Sequence, residues 1–119
     1  MEEPVFKSLI VWQKAMVLVE EVYRLMQTFP KDERFRLCDQ LGRAVVSIPS
    51  NIAEGNGRDS KKDYANFLNI ARGSLYETLT QLEIAQRLGY IEIQQPVRDL
   101  MGEIAKMLNA LISKLRLHS

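Results

Sequence analysis

One cysteine and one histidine are all that this 119-residue chain offers to soft-metal or nucleophilic chemistry. A catalytic nucleophile needs a base within hydrogen-bond reach, and a di-iron site in a helix bundle needs a Glu-x-x-His pair on each of two helices. The chain contains no Glu-x-x-His, and its histidine, His118, is the penultimate residue, where chain ends usually fray. Cys38 cannot form an intrachain disulfide, and its neighbours Leu37 and Leu41 point to a buried thiol. These shortages exclude a self-contained catalytic or metal site, so no enzymatic activity and no cofactor are expected.

An excess of charge of either sign is missing too. Sixteen Lys and Arg stand against fifteen Asp and Glu, a formal charge of +1. No whole-molecule field then steers the protein toward nucleic acid or anionic lipid, and any basic site must be local. No uninterrupted apolar run follows the acidic start Met1-Glu2-Glu3-Pro4, which argues against a signal peptide, a membrane span or a membrane partner. A cytoplasmic protein is expected. Strand-like alternation, internal repeats and low-complexity tracts are absent as well.

What the chain does have is helical periodicity. Trp12, Met16, Val19, Tyr23 and Met26 recur at spacings of three and four, predicting a helix over about 9–27 with Ser8 as its N-cap. Thr28-Phe29-Pro30 ends it and opens a second helix over about 31–54, whose apolar stripe is Leu37, Leu41, Ala44, Val45, Ile48 and Ile52. Pro49 inside that stretch predicts a kink or local break, and Gly55-Asn56-Gly57 a stop. Ser60-Lys61-Lys62-Asp63 reads as a capping box with Asp in place of Glu. It opens a third helix over about 61–88, with Tyr64, Phe67, Leu68, Ala71, Leu75, Leu79, Leu82 and Ala85 on one face and Gly89 as its terminator. Pro96 starts a fourth over about 96–117. Four amphipathic helices with short connections predict an all-α, up-down-up-down antiparallel four-helix bundle forming one domain over 1–119.

Three polar features carry the candidate chemistry. The Gly55 to Lys62 segment lacks both the glycine before Lys-Ser/Thr and the leading strand of a phosphate-binding loop, so it reads as a helix-helix turn. Arg58, Lys61 and Lys62 nonetheless surround a helix N-terminus, a combination that attracts phosphate. Arg43, Ser47, Ser50 and Glu54 form a polar stripe on the second helix, either solvated or turned to a partner, with Arg72 and Glu77 of the third helix as candidate partners. Gly73-Ser74 lies in mid-helix, where glycine costs about 1 kcal/mol relative to alanine and suggests close packing.

Trp12-Gln13-Lys14-Ala15, Arg43-Ala44, the block Ser47 to Gly55, Gly57-Arg58, Phe67-Leu68, Ile70 to Leu75 with Glu77, and Gly89-Tyr90-Ile91 together resemble the bacterial 23S rRNA intervening-sequence protein family. The resemblance spans nearly the whole chain and implies a small four-helix bundle. That family is similar in turn to the accessory variability determinant of diversity-generating retroelements, a pentameric, strongly basic bundle that binds a reverse transcriptase and nucleic acid. The present chain is nearly neutral, so the resemblance implies fold and assembly more directly than nucleic-acid binding.

Two functions follow as expectations. One is a non-catalytic bundle that binds RNA or a ribonucleoprotein through Arg43, Arg58, Lys61, Lys62 and Arg72. The other is a protein-protein scaffold in which those cations serve ion pairs. Apolar residues outside the core stripes predict self-association: Phe35, Gly42, Val46 and Ala53 on the second helix, and Ile70, Gly73, Ile84 and Leu88 on the third. The resemblance implies a pentamer, and the frequency of two-fold assemblies makes a dimer the alternative.

Overall fold

The computed structural model describes residues 2–118, and among them four α-helices: α1 (Ile10–Met26), α2 (Leu37–Asn56), α3 (Lys61–Arg87) and α4 (Gln95–Leu117). Short 3-10 turns, Val5–Ser8 and Lys31–Glu33, precede α1 and α2. Each helix packs against the next in sequence and α4 closes back on α1, giving the antiparallel four-helix bundle that the periodicity predicts. Its longest dimension is 45 Å, set by α3, whose 27 residues rise about 40 Å at 1.5 Å each.

All four helices feed one core. Leu18, Leu41, Ile48, Ile52, Leu68, Leu82, Ile104 and Leu108 are fully enclosed, each contributing on the order of 2 kcal/mol of burial free energy. The stripes expected for α2 and α3 largely face it, and α4 adds Val97, Met101, Ile104, Leu108 and Ile112. The stripe expected for α1 faces it only in part, through Trp12, Val19 and Met26 at the core's edge. Val11, Ala15, Leu18 and Val22 are buried, whereas Met16 and Tyr23 remain 38% and 49% exposed. This helix is apolar around most of its circumference, so periodicity alone does not choose between adjacent stripes.

The helix ends show what competes with local signals. Ser8 is not the cap of α1: its hydroxyl donates to the Val5 carbonyl inside the 3-10 turn, and Leu9 occupies the cap position. The second helix begins at Leu37 rather than near Lys31, because Pro30 opens a 3-10 turn whose Glu33 accepts a hydrogen bond from the Tyr90 hydroxyl. Ser60 caps α3 as read, accepting from the Asp63 N–H at 3.0 Å. Gly89, at φ +80°, closes α3 in a Schellman arrangement: Tyr90 N–H bonds to the Ala85 carbonyl and Gly89 N–H to that of Gln86.

Pro49 does not break α2, which runs unbroken from Leu37 to Asn56. The Ser50 hydroxyl donates to the Val46 carbonyl and the Asn51 amide to that of Ser47, which add bonds across the turn that the proline weakens. The helix ends within the expected Gly55-Asn56-Gly57 stop, at Asn56 with Gly57 as its cap, and Gly55 in its last turn is in addition a point of close approach to α3. A Cβ there would lie 2.7 Å from Phe67 Cβ and 3.2 Å from the Tyr64 carbonyl oxygen. Gly73 is the reverse case, since a Cβ would meet nothing within 4 Å in the chain. The close packing expected around it is absent from the bundle itself.

Between α2 and α3 runs a polar seam. Ser47, on the stripe read as either solvated or turned to a partner, faces α3, its hydroxyl accepting from Ser74 at 2.9 Å and from Asn51 at 2.8 Å. The Gln81 amide reaches Gln40 at 3.4 Å and Glu77 at 3.3 Å, while Gln81 Oε1 is a buried acceptor with no partner among the described residues.

The two glycine environments predict opposite outcomes. Gly55→Ala should destabilise by roughly 1–3 kcal/mol through overpacking against backbone and Cβ atoms that cannot swing aside. Gly102→Ala, in an exposed part of α4 with open space around the added methyl, should stabilise by about 1 kcal/mol. Urea unfolding followed by circular dichroism measures both, and equal effects of the same sign would contradict this account.

Candidate functional site

The five cations expected to contact nucleic acid do not converge. Arg58, Lys61 and Lys62 sit together at the α2–α3 turn. Arg72 lies about 15 Å further along α3, and Arg43 about 20 Å back along α2, at 1.5 Å per helical residue. Most are already engaged. Arg43 pairs with Asp39 at 3.2 Å on its own helix. Arg72 donates to Asn69 on α3 and, at 2.8 Å, to Asn109 on α4, so it joins two helices rather than meeting Glu77. Arg58 pairs with Glu54 at 3.0 Å and stacks over the Phe67 ring, 4.6 Å from its centroid. Glu54 is thereby also accounted for.

Lys61 and Lys62 are exposed and make no ion pair among the described residues. Around them, however, Glu54, Asp59 and Asp63 match the three cations in number. Such a turn holds a phosphate only weakly, and salt readily screens it.

The expected apolar seams fall on two different aspects of the molecule. Ile70, Ile84 and Leu88 are 51%, 44% and 55% exposed on the outer face of α3, with Gly73 open between them. On α2, Gly42 is buried beneath Tyr23, whose hydroxyl oxygen would lie 3.3 Å from an added Cβ, so its small size serves the α1–α2 contact. Val46 and Ala53 line a shallow groove beside it with Trp12, Met16, Val19 and Pro49. Phe35, before α2 begins, is 84% exposed. The α1 residues Trp12, Met16 and Val19 supply one wall of this groove, which the sequence reading did not pair with the α2 seam because it used them only to place the helix.

No group of three or more His, Cys, Asp or Glu among the described residues is placed to hold a metal ion, and no helix there is long and apolar enough to cross a membrane.

A family model described as 23S rRNA-intervening sequence protein matches residues 7–110. Among solved structures, a protein of unknown function from the S23 ribosomal protein family of Bacteroides thetaiotaomicron is similar at 29% identity, with a TM-score of 0.78 over 87% of this chain and 96% of that one. No curated protein matches.

The titratable groups that the fold perturbs lie at the end of the bundle opposite the α2–α3 turn. Burial, and then the nearby Glu33 charge, raise the Cys38 thiol above its ordinary value, which keeps it protonated and poorly nucleophilic at neutral pH. The Tyr90 hydroxyl donates to Glu33 Oε2 at 2.7 Å, and this bond, followed by burial, raises its pKa above the ordinary 10.0. Because the folded state holds that proton more tightly than the unfolded chain, the stabilisation is complete below pH 10 and is lost as pH rises through the folded value. Absorbance titration compared with that of Tyr90→Phe should assign Tyr90 a raised midpoint, and that midpoint should move down in Glu33→Gln. A titration unchanged by that substitution would contradict the assignment.

Proposed function

The chain belongs to the 23S rRNA-intervening sequence protein family, and from that premise we propose that it is a non-catalytic helix bundle that works as an assembly of its own copies. The observation that supports this most is the outer face of α3, where Ile70, Ile84 and Leu88 stay about half exposed on one stripe. Single exposed apolar residues are ordinary, but an aligned set facing open space at Gly73 is a surface for another helix. The engaged state of Arg43, Arg58 and Arg72 supports the same reading, since those cations already serve contacts within the chain.

Resemblance favours a ring of five, with a dimer as the alternative. Light scattering coupled to size exclusion should return a multiple of the chain mass at micromolar concentration, and a monomeric mass would overturn the proposal. Val46→Glu, which places a carboxylate on a partly exposed groove wall, should lower that mass while helical content is largely retained.

A second reading, contact with RNA or a ribonucleoprotein, draws on the rRNA connection in the family's description and on the unpaired Lys61 and Lys62 at the start of α3. Three balancing carboxylates make such contact weak. Affinity should fall linearly against salt in logarithmic form, and replacing Arg58, Lys61 and Lys62 together by Ala should lower both affinity and slope. Binding that survives the triple change intact excludes this turn as the site.

A further inference from the structure

Ser47 and Ser74 tie the α2–α3 seam, but the seam between α1 and α4 stands open. One cavity of about 450 Å³ lies there between Val17, Val97 and Leu100, and another of about 370 Å³ between Ile10, Met107 and Leu111. Lys14 of α1 reaches Glu103 of α4 at 2.7 Å across the seam between them, so the two cavities are halves of one groove with a polar strap over it. From Ile10 to Glu21 the groove follows α1 for about 16 Å, roughly three helical turns. Its apolar walls meet solvent, with Val17 46% and Ile10 60% exposed. It is also separate from the α1–α2 groove and the α3 stripe, so contact between copies through those faces leaves it open.

Charge divides the groove at that strap. The half toward the end of α1 is lined by Glu21, Asp99 and Glu103, with no Lys or Arg among its lining residues, whereas the other half carries Lys114. The groove between α1 and α2, by contrast, carries Arg34 and Arg43 against Asp39. The three carboxylates are held from the margins only: Glu21 by Arg24 on its own helix, Asp99 by the Gln95 amide and Glu103 by Lys14. Exposed pairs of this kind are weak enough to be exchanged for an incoming cation. From the groove's length, its apolar walls and the single sign of charge along one half, we infer that it receives an amphipathic helix of another protein. That helix lays an apolar edge between α1 and α4 and carries Lys or Arg on its flanks where it passes Glu21, Asp99 and Glu103. A groove of about three turns accommodates anchors at i, i+3 or i+4, and i+7. An extended peptide is the poorer occupant, because both walls are intact helices whose backbone groups are already paired, while a helix arrives with its own backbone satisfied. A small organic cation fills only the acidic half and leaves the Ile10 end uncovered. Apolar burial supplies the affinity here, and the carboxylates select the sign of the partner.

Two synthetic helical peptides test this docking, each with leucines at i, i+3, i+4 and i+7, one flanked by lysines and the other by glutamates. Added to the isotopically labelled full chain, the lysine peptide should shift the amide resonances of Val17, Glu21, Leu100 and Glu103 and bind about tenfold or more tighter than the glutamate peptide. The triple change Glu21→Gln, Asp99→Asn and Glu103→Gln should abolish that margin, and Val17→Gln should weaken the lysine peptide several-fold, both at unchanged helical content. Absence of binding at millimolar peptide, equal affinity for the two peptides, or shifts centred on the α1–α2 groove or the α3 stripe overturns the assignment. So does spermine reproducing the same shifts at the same concentration, which makes the groove a small-cation site. A fall in the mass of the protein alone on the triple change, read by light scattering, overturns it as well, since another copy then covers the groove.

Discussion

The close approach of α2 and α3 at Gly55 is the constraint on which the other helices depend. With Phe67 Cβ and the Tyr64 carbonyl already at contact distance from where a side chain would begin, the two backbones are drawn together just before the turn that joins them. From there they run antiparallel with small polar residues between them, Ser47 against Ser74 and Thr78 fully buried. That seam sets which residues of the two helices share a height. It also leaves Leu41, Ile48 and Ile52 of α2, and Leu68 and Leu82 of α3, pointing into a common core that α1 and α4 must cover.

How α1 covers it explains the character of the surface. A helix that is apolar nearly all round can bury only one side in a four-helix arrangement, and here the small and branched residues Ala15, Leu18 and Val22 go inward. Larger ones, Trp12, Met16 and Tyr23, are left at the edges, where they wall the groove shared with α2. The protein thus combines a well-filled core with partly exposed apolar side chains that the bundle does not need. Its charges behave differently. Lys14 with Glu103, Arg24 with Glu21 and Arg98 with Glu83 are paired near the surface, so the charged side chains offer many short dipoles rather than a field of one sign. A partner recognised by shape and apolar contact suits this surface better than one recognised by charge alone.

Helix number, approximate ends and fold class were legible in the amino-acid sequence because they depend on short-range chemistry: apolar spacing of three and four, the Ser60 cap, Pro96 at a helix start, and Gly89 where a positive φ is required. Where residues three or four positions apart were equally apolar, as in α1, local pattern had no means of ranking them, and only the neighbouring helices chose the buried side. Tertiary packing alone likewise made Gly55, within the expected stop, a close contact with α3 and left Gly73 open. It also carried α2 through Pro49 and engaged Arg43, Arg58 and Arg72 within the chain. Each of these depends on what stands opposite a residue across space, and a linear pattern of propensities does not contain that information.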